Sequence, residues 1–196
     1  MYLSEVVARV AFYPSLLYNV MVSRLIRRPW YHRIDETVLL GALPFRSMVG
    51  HLVEVEKVRA VVSMNEDYEM KFLVNTEEEW QAAGVETLRL STVDLLATPT
   101  VDKLRRGVAF VRRHHVLGNS VYVHCKAGRC RSATLVAAYL VHVHGWTPEQ
   151  ACEHLVSIRP HVLLRPTQIS VLHSFQRDGF ADTTEELGIR GSRPRS

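Results

Sequence analysis

The chain has 196 residues, 47% of them hydrophobic, and a formal net charge of +4. This length supports one domain with a substantial core and leaves two full domains cramped. Residues 1–34 hold five arginines against one glutamate and residues 190–196 add three arginines, so the span between them is net acidic; this argues against a nucleic-acid-binding face on the folded domain and suits an acidic membrane surface.

Residues 6–22 (VVARVAFYPSLLYNVMV) are apolar except for Ser, Asn and one Arg, and the basic stretch SRLIRRP follows. Interrupted by Arg9 and Pro14, they fall short of the roughly 20 apolar residues that span a bilayer. An interfacial anchor is expected instead. The Arg-rich, acid-poor composition also fits a mitochondrial targeting segment, and a helix packed onto the domain is the plain alternative. From residue 30 the chain alternates strands and helices. A short strand is predicted at 37–40, a turn at 41–44, and a helix at 47–57 opened by Ser47. Strands are predicted at 59–64 and 85–90, with a Glu-rich helix at 76–83 between them. Residues 100–115 repeat at helical spacing through Val101, Leu104, Val108 and Val111. Gly118-Asn119 turns the chain into a buried strand at 120–124. Helices follow at 132–144, 147–158 and 166–177, the last two opened by Thr-Pro and Arg-Pro pairs. The organisation is thus a flanking segment at 1–29, one α/β domain over 30–180, and a tail at 181–196 expected to be disordered.

The chemistry is expected where strand 120–124 meets helix 132–144. Cys125 and Arg131 stand six apart, the Cys-x5-Arg spacing of enzymes that take a phosphoryl group onto sulfur. The short loop between them can turn its backbone N–H groups inward, and the following helix adds the positive end of its dipole. Gly128 supplies a non-helical turn. The same field lowers a thiol pKa from roughly 8.5 to about 3.5–7.5. Cys130 and Cys152 have Val136 and Ile158 six residues on, so only Cys125 fits the spacing. The three cysteines suggest neither a disulfide framework nor a zinc site. The histidines form no HExxH or Cys/His ligand set, so no metal or cofactor is expected, and a reducing compartment fits best. Between Glu86 and Asp102 the one carboxylate is Asp94, a candidate proton donor for a leaving alkoxide or else a turn cap.

Residues 124–132 match His-Cys-x-x-Gly-x-x-Arg-Ser/Thr, and the chain resembles the dual-specificity branch of the protein tyrosine phosphatase superfamily. The segments WYHRIDETVLLGALPFRS, MNEDYE and LSTVDLLATPT are similar to those of the mitochondrial lipid phosphatases that remove the terminal phosphate of phosphatidylglycerophosphate. The likeness covers residues 30–178. It implies a single cysteine-phosphatase domain with a central, mostly parallel sheet flanked by helices. It also implies hydrolysis to phosphatidylglycerol, toward cardiolipin, through a cysteinyl-phosphate, by a monomer at the matrix side of the mitochondrial inner membrane. The partners would be an anionic phospholipid substrate and the membrane surface. A dual-specificity protein phosphatase or a phosphoinositide phosphatase is the alternative.

Carried over residue by residue, the resemblance makes Cys125 the nucleophile and Asp94 the acid. Arg131 binds the phosphoryl oxygens as a planar fork, and Ser132 hydrogen-bonds the sulfur. Lys126, Ala127, Gly128, Arg129 and Cys130 form the substrate-binding loop, with Lys126 and Arg129 adding cations useful for a second phosphate. Tyr68, in a stretch similar to the family's Glu-Glu-Tyr-Glu loop, is expected to wall the pocket, with a plain surface loop as the alternative. Cys130 departs from the small residue expected there; it either forms a redox disulfide with Cys125 or packs behind the loop.

Overall fold

The structure is a computed structural model that describes residues 3–94 and 97–179, with residues 3–11 described by their backbone alone. The tail expected to be disordered lies outside the described residues. Five strands, Tyr31–Arg33 (β1), Val38–Gly41 (β2), Val58–Ser63 (β3), Glu86–Arg89 (β4) and Ser120–His124 (β5), form one sheet in the order β1-β2-β5-β3-β4. Only β1 runs antiparallel to its neighbour. The helices are Leu3–Leu25 (α1), Val49–Glu54 (α2), Asp67–Met70 (α3), Glu77–Ala82 (α4), Val101–Val116 (α5), Arg131–His144 (α6), Pro148–Ile158 (α7) and Pro166–Arg177 (α8).

Successive strand side chains point to opposite faces, so both faces must be covered. Val38, Leu40, Val62, Val121 and Val123 pack with residues of α5, α6, α7 and α8. Leu39, Val61 and Tyr122 point the other way, onto Leu52 of α2 and Trp80 of α4. Helix α6 is buried from Arg131 through Val141, which is why residues 135–141 read as an unbroken apolar run rather than an amphipathic one. Gly145, left-handed at φ 66°, ends it. Gly41, His124 and Ser63 stand side by side in the register. The chain therefore leaves β2, β3 and β5 along one edge, the edge where open α/β sheets bind ligands.

Two features differ from the sequence expectation, and a third bears on an alternative it left open. The predicted helix 47–57 is a 3₁₀ turn, Arg46–Met48, followed by α2; Ser47 lies inside that turn and caps nothing, and Lys57 at φ 58° swings the chain into β3. Residues 67–70 form the short helix α3. Helix α1 runs 23 residues through Pro14, and it packs on the domain by Phe12 and Leu16, both buried against Leu43 and Val74. No helix among the described residues is long and apolar enough to cross a membrane. Phe12→Ala is expected to lower the unfolding free energy by about 3 kcal/mol and to expose α1 to limited proteolysis before the sheet; unchanged protease resistance would contradict the packing.

Candidate active site

Between β5 and α6 the chain makes a tight loop, residues 125–131, in which every carbonyl from Lys126 to Cys130 is held from outside. Leu43 N donates to Lys126 O (3.3 Å), Leu163 N to Arg129 O (2.8 Å) and Thr134 N to Cys130 O (2.9 Å). The Arg159 guanidinium takes the two between them, Nε to Gly128 O (2.9 Å) and Nη2 to Ala127 O (3.2 Å). With the carbonyls turned out, the amides turn in. None of the N–H groups of residues 126–130 donates to a backbone carbonyl among the described residues, and those of Arg129 and Ser132 reach the Cys125 sulfur. Gly128 makes the turn at φ 63°, and a Cβ there would lie 2.4 Å from Gly41 O. Backbone thus meets backbone at that point, and no other residue fits.

Arg159 is 1% exposed. Its remaining donors reach Pro29 O, Trp30 O and His32 Nδ1, so one side chain ties the loop to the segment before β1. Burial pushes its pKa down to about 10, still charged at neutral pH. Sequence reasoning missed this residue, for which an arginine directly before Pro160 is a thin signal.

At the bottom of the loop, burial pushes the Cys125 thiol up; the Arg131 charge, the Ser132 hydroxyl and the amides of Ser132 and Arg129 outweigh it and hold the thiol below its ordinary value. Ser132 Oγ lies 3.2 Å from Cys125 Sγ. His124 is buried, and that burial pushes its imidazole down to about 3, leaving it neutral. Cys130 is half-buried, and burial together with Cys125 pushes its thiol up; all three cysteines are free.

Arg131 is 2% exposed and anchored from three directions. Nη1 donates to Glu69 Oε2 and Thr92 O (both 2.8 Å) and to Met64 O (3.3 Å), while Nη2 donates to Glu69 Oε1 (3.0 Å). Its buried Nε meets no partner among the described residues, leaving a donor for a phosphate oxygen. Glu69 is itself fixed in a capping box with Glu66. Its site role went unnamed in the sequence, where Glu66-x-x-Glu69 was visible only as part of the NEDYE stretch.

Asp94 reaches the same guanidinium, Oδ1 at 3.0 Å from Nη2, and pairs with Lys126 through Oδ2. Asp94, Cys125, Lys126, Ala127, Arg129, Cys130 and Arg131 line one cavity of about 270 Å³, and Arg129 is steadied by the His161 carbonyl. The expectation for Tyr68 is corrected. Its ring is outside that lining and packs edge-on against Phe12 of α1, centroids 5.8 Å apart, because α3 turns it toward the satellite core. Three residues of α1, Ser15, Tyr18 and Asn19, take a place in the lining that no sequence signal marked.

Arg159→Met removes both donors to the loop carbonyls and is expected to lower kcat about 10²-fold and to move the pH midpoint of Cys125 alkylation upward, with the circular dichroism spectrum retained. Unchanged rate and midpoint would refute the tethering role. In the wild type, iodoacetate attacks the thiolate, so Cys125 is expected to react at the lowest pH, ahead of Cys130 and of Cys152, which burial pushes up to about 11.

Residues 53–178 match the family model "Dual specificity phosphatase, catalytic domain". The chain is 56% identical over 174 residues, 87% of this chain and 90% of the relative, to Phosphatidylglycerophosphatase and protein-tyrosine phosphatase 1 of Rattus norvegicus. It is 40% identical to Phosphatidylglycerophosphate phosphatase PTPMT2 of Arabidopsis thaliana over 86% of this chain and 73% of that one. A crystal structure of PTPMT1 in complex with PI(5)P superposes with a TM-score of 0.75 at 56% identity, covering 76% of this chain and 96% of that chain. The thiolate cradle and these relatives lead to one assignment: the chain belongs to the dual-specificity phosphatase family and is a cysteine-dependent phosphatase.

Proposed function

We propose that the enzyme hydrolyses the terminal phosphomonoester of phosphatidylglycerophosphate to give phosphatidylglycerol. The observation that carries this reading is the charge of the cavity: Lys126, Arg129 and Arg165 stand around Arg131, more positive charge than one phosphomonoester needs and a match for a monoester with a phosphodiester nearby. The names of the 56%-identical relatives support it.

The mechanism follows from the geometry. The Cys125 thiolate attacks phosphorus in line, the inward amides and Arg131 stabilise charge on the equatorial oxygens, and Asp94 protonates the departing alkoxide. Without substrate, Asp94 lies on Arg131 and Lys126. An arriving phosphate dianion competes for both cations, and a dianion close by favours the protonated acid. In the second half, Asp94 takes the proton of the attacking water and the Ser132 hydroxyl stabilises the departing thiolate. Lys126 and Arg129 are assigned to the rest of the headgroup.

The basic, acid-poor N-terminus and the resemblance to mitochondrial lipid phosphatases support a site of action at the matrix face of the mitochondrial inner membrane, as a monomer on the membrane surface and within cardiolipin synthesis. A phosphoinositide monophosphate is the second reading, favoured by the PTPMT1 complex with PI(5)P.

A phosphate-release panel on phosphatidylglycerophosphate, phosphatidylinositol 5-phosphate and a phosphotyrosyl peptide is expected to favour the first by about tenfold or more in kcat/KM, a difference of about 1.4 kcal/mol. A preference for the peptide would overturn the substrate assignment. Asp94→Asn is expected to slow lipid hydrolysis about 10²–10⁴-fold while costing far less on an aryl phosphate, whose leaving group needs no proton. Equal losses would point to another acid.

A further inference from the structure

Helix α1 closes one side of the catalytic cavity. Ser15, Tyr18 and Asn19 line it together with Cys125 and Arg131, and Lys126 Nζ, from the phosphate loop, donates to Ser15 Oγ at 3.0 Å. The lysine also lies 5.8 Å from the centre of the Phe12 ring. The helix and the loop are therefore one structural unit, joined through a buried cation.

The outer face of α1 carries a different chemistry. Tyr13, Leu17, Met21 and Leu25 follow one another at four-residue spacing, which aligns them along the helix, and they are 43%, 61%, 55% and 78% exposed. Tyr18, 65% exposed, stands between this row and the mouth of the cavity. An open apolar groove lined by Tyr13, Leu17, Phe45 and Leu73 widens the patch. Contiguous apolar surface of this kind marks an interaction site. Arg24 and Arg27 are exposed where the row ends, and residues 6–34 contain no acidic side chain. An apolar helix face ending in uncompensated cations matches an anionic bilayer surface, where the apolar row enters the acyl boundary and the cations meet lipid phosphates.

We propose that α1 is both the membrane-docking face and a wall of the substrate site: its outer row sits in the surface of an anionic membrane, and Asn19 contacts the headgroup of the phospholipid whose terminal phosphate occupies loop 125–131. The Asn19 side chain makes no hydrogen bond among the described residues. Its amide offers both donors and an acceptor, a fit for the hydroxylated linker between two phosphates. The acyl chains then leave the cavity past Tyr18, directly into the layer that holds the outer row, so the lipid stays partly in the membrane while its phosphate reacts. The headgroup contact rests on the lipid-phosphatase reading, whereas the docking face does not.

Two measurements on the full chain separate these parts. In sedimentation with phosphatidylcholine vesicles containing phosphatidylglycerol, the wild type is expected to bind. The double variant Leu17→Gln, Met21→Gln is expected to lose vesicle affinity about tenfold or more, a drop at least tenfold larger than any change in its turnover of p-nitrophenyl phosphate. Equal sedimentation of the two proteins would overturn the docking face. Asn19→Ala is expected to reduce kcat/KM on vesicle-borne phosphatidylglycerophosphate about fivefold more than on p-nitrophenyl phosphate, chiefly through KM. An equal effect on both substrates would overturn the headgroup contact. A wild type that binds vesicles but releases no phosphate from the lipid would sustain the docking face and sink both the substrate reading and the headgroup contact.

Discussion

The site depends on five consecutive carbonyls, Lys126 to Cys130, being turned away from it. A peptide unit points its N–H opposite its C=O, so holding the carbonyls outside is what aims the amides inside. One partner is local, Thr134 in the first turn of α6, and the others come from distant parts of the chain: Leu43 after β2, and Arg159 and Leu163 after α7. Arg159 is the unusual one, a buried guanidinium met by backbone carbonyls and His32 rather than by a carboxylate among the described residues. Removing a charge from water is costly. Its hydrogen bonds to carbonyls offset that cost, and the charge left uncompensated adds to the positive field behind the loop.

That field has a consequence at Cys125. The thiol is buried, which alone would keep it protonated, yet Arg131 and the surrounding donors win. Among the charged side chains, Arg131 is the one that lowers the Cys125 thiol, and the buried Arg159 also interacts with it. Glu69 and Asp94 share Arg131 in turn, but not equivalently. Glu69 makes two hydrogen bonds from a rigid capping box and orients the guanidinium. Asp94 sits on an irregular stretch after β4 and holds Arg131 and Lys126 from the cavity side, the position an incoming phosphate contests. One carboxylate positions the arginine; in the proposed mechanism the other is released to do chemistry when the phosphate arrives.

Much of this was legible in the sequence because local chemistry dictated it. The strand at 120–124 and the helix at 166–177 have the observed bounds, since an apolar β-branched run and an Arg-Pro start are unambiguous signals. Cys125, Arg131, Ser132 and the loop between them were readable from spacing, and Asp94 as the one carboxylate of its segment. The structure brings Asp94, Cys125, Lys126, Ala127, Arg129, Cys130 and Arg131 into a single cavity, with Ser132 on the Cys125 sulfur and Gly128 against Gly41 outside its lining. What was not legible depends on contacts between distant segments. Arg159 is an ordinary helix-end arginine until it is seen against Gly128, 31 residues away. Tyr68 carried a family-like motif, yet α3 turns its ring onto Phe12. The apolar N-terminal segment reads in the sequence as an interfacial anchor, a targeting segment or a packed helix, whereas the wall it forms facing Cys125 needs the fold that places Ser15 beside Lys126.

In the proposed mechanism a preformed anion cradle makes Cys125 the covalent carrier of the phosphoryl group. Rapid denaturing quench of the enzyme during turnover at neutral to alkaline pH, where a P–S bond survives, followed by peptide mass mapping, reads that carrier out. With p-nitrophenyl phosphate as substrate, a phosphoryl adduct is expected on the peptide containing Cys125, formed in a burst no slower than turnover and accumulating further in Asp94→Asn, where the leaving group needs no proton but the water that cleaves the adduct lacks its base. A phosphoryl group on any other residue, or turnover by Cys125→Ser at the wild-type rate without an adduct, would contradict it.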